Sequence, residues 1–177
     1  MRIYLPATLS MLTDLNTTGE FVPVGGTAFA LTPALRESYL DGDDEELAEA
    51  AIREAARASL RLLAAEQDED GDKDDDSGDA APLPPRRVVI AADVDEVKLR
   101  PDLDVAVVKT SRVVPLSAVA SLLVDGSDAE EKVLRAMAVV DAADLGDEDA
   151  ELAIGDVEDF DLGWYATQEL PFLLELL

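Results

Sequence analysis

Apolar positions recur along this chain with two periods, and the two sort it into short strands and helices. Arg2 to Leu5 reads as a first strand, ended by Pro6 because proline cannot donate to a ladder. Ser10 offers an N-cap to a short helix, MLTDL, that Gly19 stops. Val22-Pro23-Val24 and Thr27 to Leu31 are extended and mostly apolar. The Gly25-Gly26 pair between them marks a bulge or a place where something approaches the backbone closely. Thr32 before Pro33 is a helix start, a hydroxyl cap followed by proline in the first turn, and a turn at Asp41-Gly42 follows. From Asp44 to Ala65, Leu47, Ala51, Ala55, Ala58 and Leu62 fall three or four apart and make the stripe of an amphipathic helix. Ala50, Ile52, Ala56, Leu60 and Leu63 widen it. Acidic residues lead this helix and Arg53, Arg57 and Arg61 follow, matching its dipole. The three arginines read as a solvated face paired with nearby carboxylates, or as an anion or partner contact.

The pattern repeats. FVPVGGTAFALTPALRESYLDGDDEE, from Phe21 to Glu46, aligns without a gap on VAVVKTSRVVPLSAVASLLVDGSDAE, from Val105 to Glu130. Asp41-Gly42 then falls on Asp125-Gly126 and Thr27 on Ser111. RRVVIAAD answers RIYLPAT as the opening strand of the second copy, and Val105 to Val108 and Arg112 to Val114 are further strands. Ser117 caps a helix running to Val124, and Asp128 caps another through Val140 with Val133, Leu134, Met137, Ala138 and Val140 inward. Trp164-Tyr165-Ala166 reads as a last strand and Thr167 as the cap of a last helix, whose Leu170, Phe172, Leu173 and Leu176 close the core. The expected fold is α+β: a mixed sheet covered by helices, built from two β-β-α-α repeats plus a C-terminal strand-helix. The expected organisation is a single domain, 1–177. It holds a first repeat at 1–65, a disordered acidic linker at 66–85, a second repeat at 86–143 and the C-terminal segment at 144–177. The linker assignment follows from QDEDGDKDDDSGD, which cannot bury apolar surface and repels itself.

Charge changes the picture more than composition does. Apolar content of 48% suits a globular domain, but 40 acidic residues against 14 basic give a net charge of −26. Such a surface repels nucleic acid and anionic membranes, so neither is an expected partner. The acidity fits a proteome-wide bias towards acidic, salt-adapted proteins. It also fits a face that docks a basic protein partner or imitates nucleic acid. There is no cysteine and no histidine in the chain. Disulfides, thiolate zinc sites and the Ser-His-Asp triad are therefore excluded. No run of apolar residues is long enough to span a bilayer, and MRIYLPAT lacks the pattern of a signal peptide. The expectation is a cytoplasmic monomer or weak dimer.

The candidate chemistry is thin. Setting Gly71 at the sixth position of a calcium loop leaves Ser77 where the bidentate glutamate belongs, so no metal site is expected. Val24-Gly25-Gly26-Thr27 is similar to phosphate-cradling loops, but no glycine-rich motif continues from it and a strand follows rather than a helix. Its counterpart in the second copy is Lys109-Thr110-Ser111. Gly25, Gly26, Thr27, Lys109 and Ser111 are thus the candidate ligand-binding residues, in a pocket formed if the two loops face each other. No catalytic residue and no cofactor is expected. Asp93, Asp95 and Glu96 follow a strand end, where sites and turns both place carboxylates. Trp164-Tyr165 reads as core.

RIYLPAT, GGTAFALTPALRE, AIREAARASLRLL and WYATQELP together resemble a family of small acidic actinobacterial proteins known as a domain of unknown function. The resemblance implies an actinobacterial cytosolic protein and no particular activity. The function expected is a non-enzymatic accessory or regulatory protein acting through protein contacts. The alternative is a small-molecule-binding protein or enzyme using the pocket between the two loops.

Overall fold

The computed structural model describes residues 1–72, 81–110 and 113–177. Ser111, and residues 73–80 of the acidic run, which include Ser77 of the calcium-loop reading, lie outside them; Gly71 of that reading ends a helix.

A strand of six residues, β1 (Arg2–Ala7), runs through the middle of a seven-stranded sheet. Its neighbours are β3 (Thr27–Phe29) and β4 (Val88–Asp93). Beyond β3 lie β6 (Val107–Lys109) and the edge strand β5 (Lys98–Leu99). Beyond β4 lie β8 (Val119–Val124) and the other edge, β9 (Gly163–Ala166). A separate ribbon pairs β2 (Glu20–Phe21) with β7 (Val114–Pro115). The class is α+β as expected, but the sheet is antiparallel at every pairing rather than mixed.

Helices cover both faces. Ile3, Leu5 and Ala7 of β1 meet Leu9, Leu12 and Leu15 of α1 (Leu9–Thr18) and Leu170 and Leu173 of α6 (Leu170–Glu175). Tyr4, Phe29, Val89 and Val107 meet Leu35 of α2 (Pro33–Glu37) and Ala51, Ala55 and Ala56 of α3 (Asp44–Gly71). α4 (Glu130–Asp144) and α5 (Glu148–Glu158) pack on the far part of α3 through Leu60, Leu63, Val133, Val140 and Ile154. Two-sided burial explains why β1 and β4 read as nearly unbroken apolar runs. Each fully buried leucine contributes roughly 1.5–3 kcal/mol relative to exposure.

Pro6 does not end β1. Val94 N–H donates to Met1 O and the Met1 amino group to Val94 O, so odd-numbered residues of β1 turn their backbone toward β4. Even-numbered ones face β3, where the ladder holds the pair Tyr4↔Phe29. The missing N–H of Pro6 therefore points where no ladder bond forms. Thr8, not Ser10, caps α1, and its hydroxyl also donates to Glu66 at 2.5 Å. That bond helps α3 continue past Ala65 to Gly71, so 66–71 of the expected linker is helical. Ser59 is buried in α3; it donates to Ala7 O at 2.7 Å and accepts from Val88 N at 3.0 Å, splicing the ends of β1 and β4.

The repeat fails in its second half. Pro33–Glu37 is a helix, whereas the aligned stretch to Val124 forms β8, buried between β4 and β9. A short apolar run such as Val119–Val124 fits a buried strand as well as a helix, and pairing decides. A different correspondence relates the halves. Val22-Pro23 and Val114-Pro115 each lead into a 3₁₀ turn, Val24–Gly26 and Leu116–Ala118, and then into β3 or β8. Those two strands flank the central β1–β4 pair from opposite sides, and the β2–β7 ribbon joins the halves antiparallel.

The C-terminal segment holds α5 besides the expected strand and helix. Leu134, Trp164, Phe172 and Leu176 are exposed, against the expectation that they fill the core. Asp128 lies in a 3₁₀ turn without capping α4, and Thr167 donates to Val119 O instead of capping α6. Two of the three arginines on α3 form a clamp: Arg57 reaches Asp144 at 3.1 Å and Glu151 at 2.9 Å, and Arg61 reaches Asp144 at 2.6 Å. Exposed pairs of this kind contribute about 0–1 kcal/mol each.

Candidate functional site

Gly25 and Gly26 form a 3₁₀ turn rather than a strand bulge, with φ of 62° and 67° that favour glycine. The close approach expected there comes from the chain itself. A Cβ on Gly26 would stand 2.5 Å from the carbonyl oxygen of Thr110, and Thr110 N–H donates to Gly26 O at 2.9 Å. The turn is thereby locked onto the end of β6.

The register of β3 and β6 sets Thr27 opposite Lys109, and that of β5 and β6 sets Lys98 opposite Lys109. Lys109 Nζ donates to Gly25 O at 3.0 Å and to Thr27 Oγ1 at 2.6 Å. Both acceptors are neutral. Neither lysine forms an ion pair with a carboxylate among the described residues; Asp102, whose charge also acts with that of Lys98, is engaged by Arg100 in bonds of 2.8 and 2.7 Å. Arg100 holds the Asp102 carboxyl below the usual range, chiefly through that hydrogen bond.

A cavity of about 610 Å³ opens at this point. Val22, Pro23, Gly25 and Gly26 form one wall, and Lys98, Lys109 and Thr110 form the other. Glu96, Val97 and Val113 complete it. The structure thus brings together Gly25, Gly26 and Lys109 from the expected site, with Thr27 behind them as a partner of Lys109. Lys98 and Glu96 were not among the expected site residues. The sequence marks Lys98 only weakly, as a lone lysine after Asp95 and Glu96 in DEVKLR, in a chain holding four lysines. With two ammonium groups and one carboxylate, the described lining is positive on a chain of net charge −26.

The carboxyls that burial raises above their usual range lie elsewhere. Glu54 is raised by burial and then by Asp104, in a cavity of about 150 Å³ with Tyr39 and Arg53. Glu66 is raised by burial against the opposing bond from Thr8. Among the described residues no cluster of three or more acidic side chains could hold a metal ion, and no helix is long and apolar enough to cross a membrane.

A second charged centre is structural. Arg87 is enclosed with Asp125, which accepts from its backbone N, Nε and Nη2 at 2.8 Å each. Nη2 also donates to Phe160 O at 2.8 Å, tying β4, the end of β8 and the approach to β9 together.

The fold and site define an α+β protein whose antiparallel sheet carries a lysine-lined pocket near one margin. The chain matches DUF6912, a family of unknown function, over residues 1–174, and it belongs to that family. No curated protein and no solved structure matches it.

Proposed function

We propose that the protein binds a small anion bearing carboxylate or phosphate groups in the pocket between the Gly25-Gly26 turn and β5–β6, as a ligand-binding accessory protein. One observation carries this reading: Lys98 and Lys109 stand directly opposite each other on neighbouring strands and line the same cavity. Like charges placed so destabilise a sheet by about 0.2–1 kcal/mol, a cost that an anion between them would relieve. Carboxylate or phosphate groups suit two lysines, which act as movable point charges. Backbone at the glycine turn supplies a wall that a side chain would block.

A reading through protein contacts alone, in a cytosolic accessory protein of monomeric or weakly dimeric state, is supported by the exposed Val22 and Val113 at the same rim. Native mass spectrometry of gently isolated protein separates the two. The anion reading expects a bound small mass that the double variant Lys98→Met, Lys109→Met does not retain. A bare wild-type protein that also ignores millimolar pyrophosphate and citrate would sink it.

A further inference from the structure

The margin at β9 carries a feature independent of the lysine pocket. Asp125 N–H donates to Arg87 O, so alternate residues of β8 turn toward β4 and leave Leu122 and Val124 facing β9. Their partners Tyr165 and Gly163 bond back to β8, and the N–H and C=O of Trp164 point away from the sheet. The next outward N–H, that of Ala166, is taken by Glu169 at 2.7 Å. Edge strands are ordinarily blunted by charge, proline or a covering element. β9 reads Gly-Trp-Tyr-Ala, without charge or proline, and its tryptophan is 64% exposed.

Trp164 stands opposite Leu123, which forms part of the floor of an open cavity of about 390 Å³. Ile52, Ala56 and Leu162 extend that apolar floor, and Glu49, Glu158 and Asp161 supply carboxylates around it. Arg87 also reaches the cavity, but Asp125 matches its charge. Arg53 is left alone against the three carboxylates.

We propose that this margin receives an extended segment of a partner protein that carries lysine or arginine. The segment adds to β9 through the free backbone groups of Trp164, the mode by which peptides extend sheet edges. A basic side chain lays its aliphatic stem on the floor and its charge among Glu49, Glu158 and Asp161, with Trp164 alongside as a cation–π neighbour. A second copy of this chain is a poor occupant, because each copy brings a net charge of −26.

Trp164 is the sole tryptophan, so its emission reports directly on the margin. The probe is an acetylated, amidated hexapeptide alternating valine with lysine, titrated at physiological salt. A saturable change in emission is expected, with slowed exchange of the Trp164 amide. Glu158→Gln combined with Asp161→Asn, both on exposed positions, should weaken binding by about tenfold or more. The same peptide N-methylated at alternate residues should lose binding, because it keeps the charge but cannot pair as a strand. Equal binding of the N-methylated peptide, indifference to the double variant, or no saturation overturns the proposal. So does an emission change that follows protein concentration alone, which would mark self-association.

Discussion

At one margin of the sheet, β5 and β6 set Lys98 against Lys109 beside a cavity of about 610 Å³. At the other, β9 sets Trp164 against Leu123 above a cavity of about 390 Å³ ringed by carboxylates. The first margin concentrates scarce positive charge and is guarded by the lysine on a strand of two residues. The second is uncharged along its backbone and lies among acids. Both margins flank the same central pair, β1 and β4, on opposite sides. What separates them is the chemistry of the outermost strand, on which the two proposals, an anion at one margin and a basic chain at the other, rest.

The comparison can be broken hardest at the β9 margin. Asp125→Ala strips Arg87 of its acceptor and leaves a guanidinium enclosed with 4% of its side chain exposed. It should cost about 3–5 kcal/mol in chemical denaturation. Arg87→Met with Asp125→Leu should cost much less, because no lone charge is left inside. On the lysine margin, Gly26→Ala forces a Cβ against Thr110 O at a φ of 67° and should cost about 1–3 kcal/mol. Gly19→Ala, at a φ of 75° but with open space around it, should cost no more than about 1 kcal/mol by the same measurement.

Smaller changes sharpen the contrast. Lys98→Met should stabilise the free protein by about 0.2–1 kcal/mol in low salt by removing a like-charge neighbour of Lys109. High salt should erase that gain, and affinity for the anion should fall at the same time. A variant that gains stability while losing ligand marks a residue retained for binding. The smallest effect is on pH dependence. Burial, with Asp104 adding to it, raises the Glu54 carboxyl above its ordinary 4.5, so the folded protein holds this proton more tightly than the unfolded chain. Stability from this group is therefore greatest in acid and falls as pH rises from about 4.5 through the raised value. Glu54→Gln should flatten the denaturation midpoint over that interval.

Much of the fold was legible where local chemistry settles the matter. Thr32-Pro33 starts a helix, Gly19 stops one, and the stripe of α3 packs nearly as its spacing predicts. The repeat misled because alignment rewarded Asp41-Gly42 and Asp125-Gly126, two turns with unlike fates. Asp125 is buried as the acceptor of Arg87, while Asp41 is exposed. The Val-Pro dipeptides gave the better register, but two residues are a faint signal beside a gapless run. Long-range pairing also hid the strand at Val119–Val124, since an apolar run buried on both faces carries no period of its own. At the site, the glycine turn and Lys109 were readable as loops. Lys98 was not, because only the β5–β6 register makes it a neighbour of Lys109. Trp164 reads as core by residue type and is exposed because no strand follows β9 at the sheet edge.

The central claim is that Lys98 and Lys109 act together on an anion, and the most direct measurement watches the lysines themselves. The chain has four, Lys73, Lys98, Lys109 and Lys132, so protein labelled at lysine Cε gives a spectrum simple enough to assign by single substitutions. On titration with pyrophosphate or citrate, the signals of Lys98 and Lys109 should move together along one saturation curve while that of Lys132 stays still. Equal drift of the lysine signals, or no movement at Lys98 and Lys109, would contradict the account and leave that margin without an anion site.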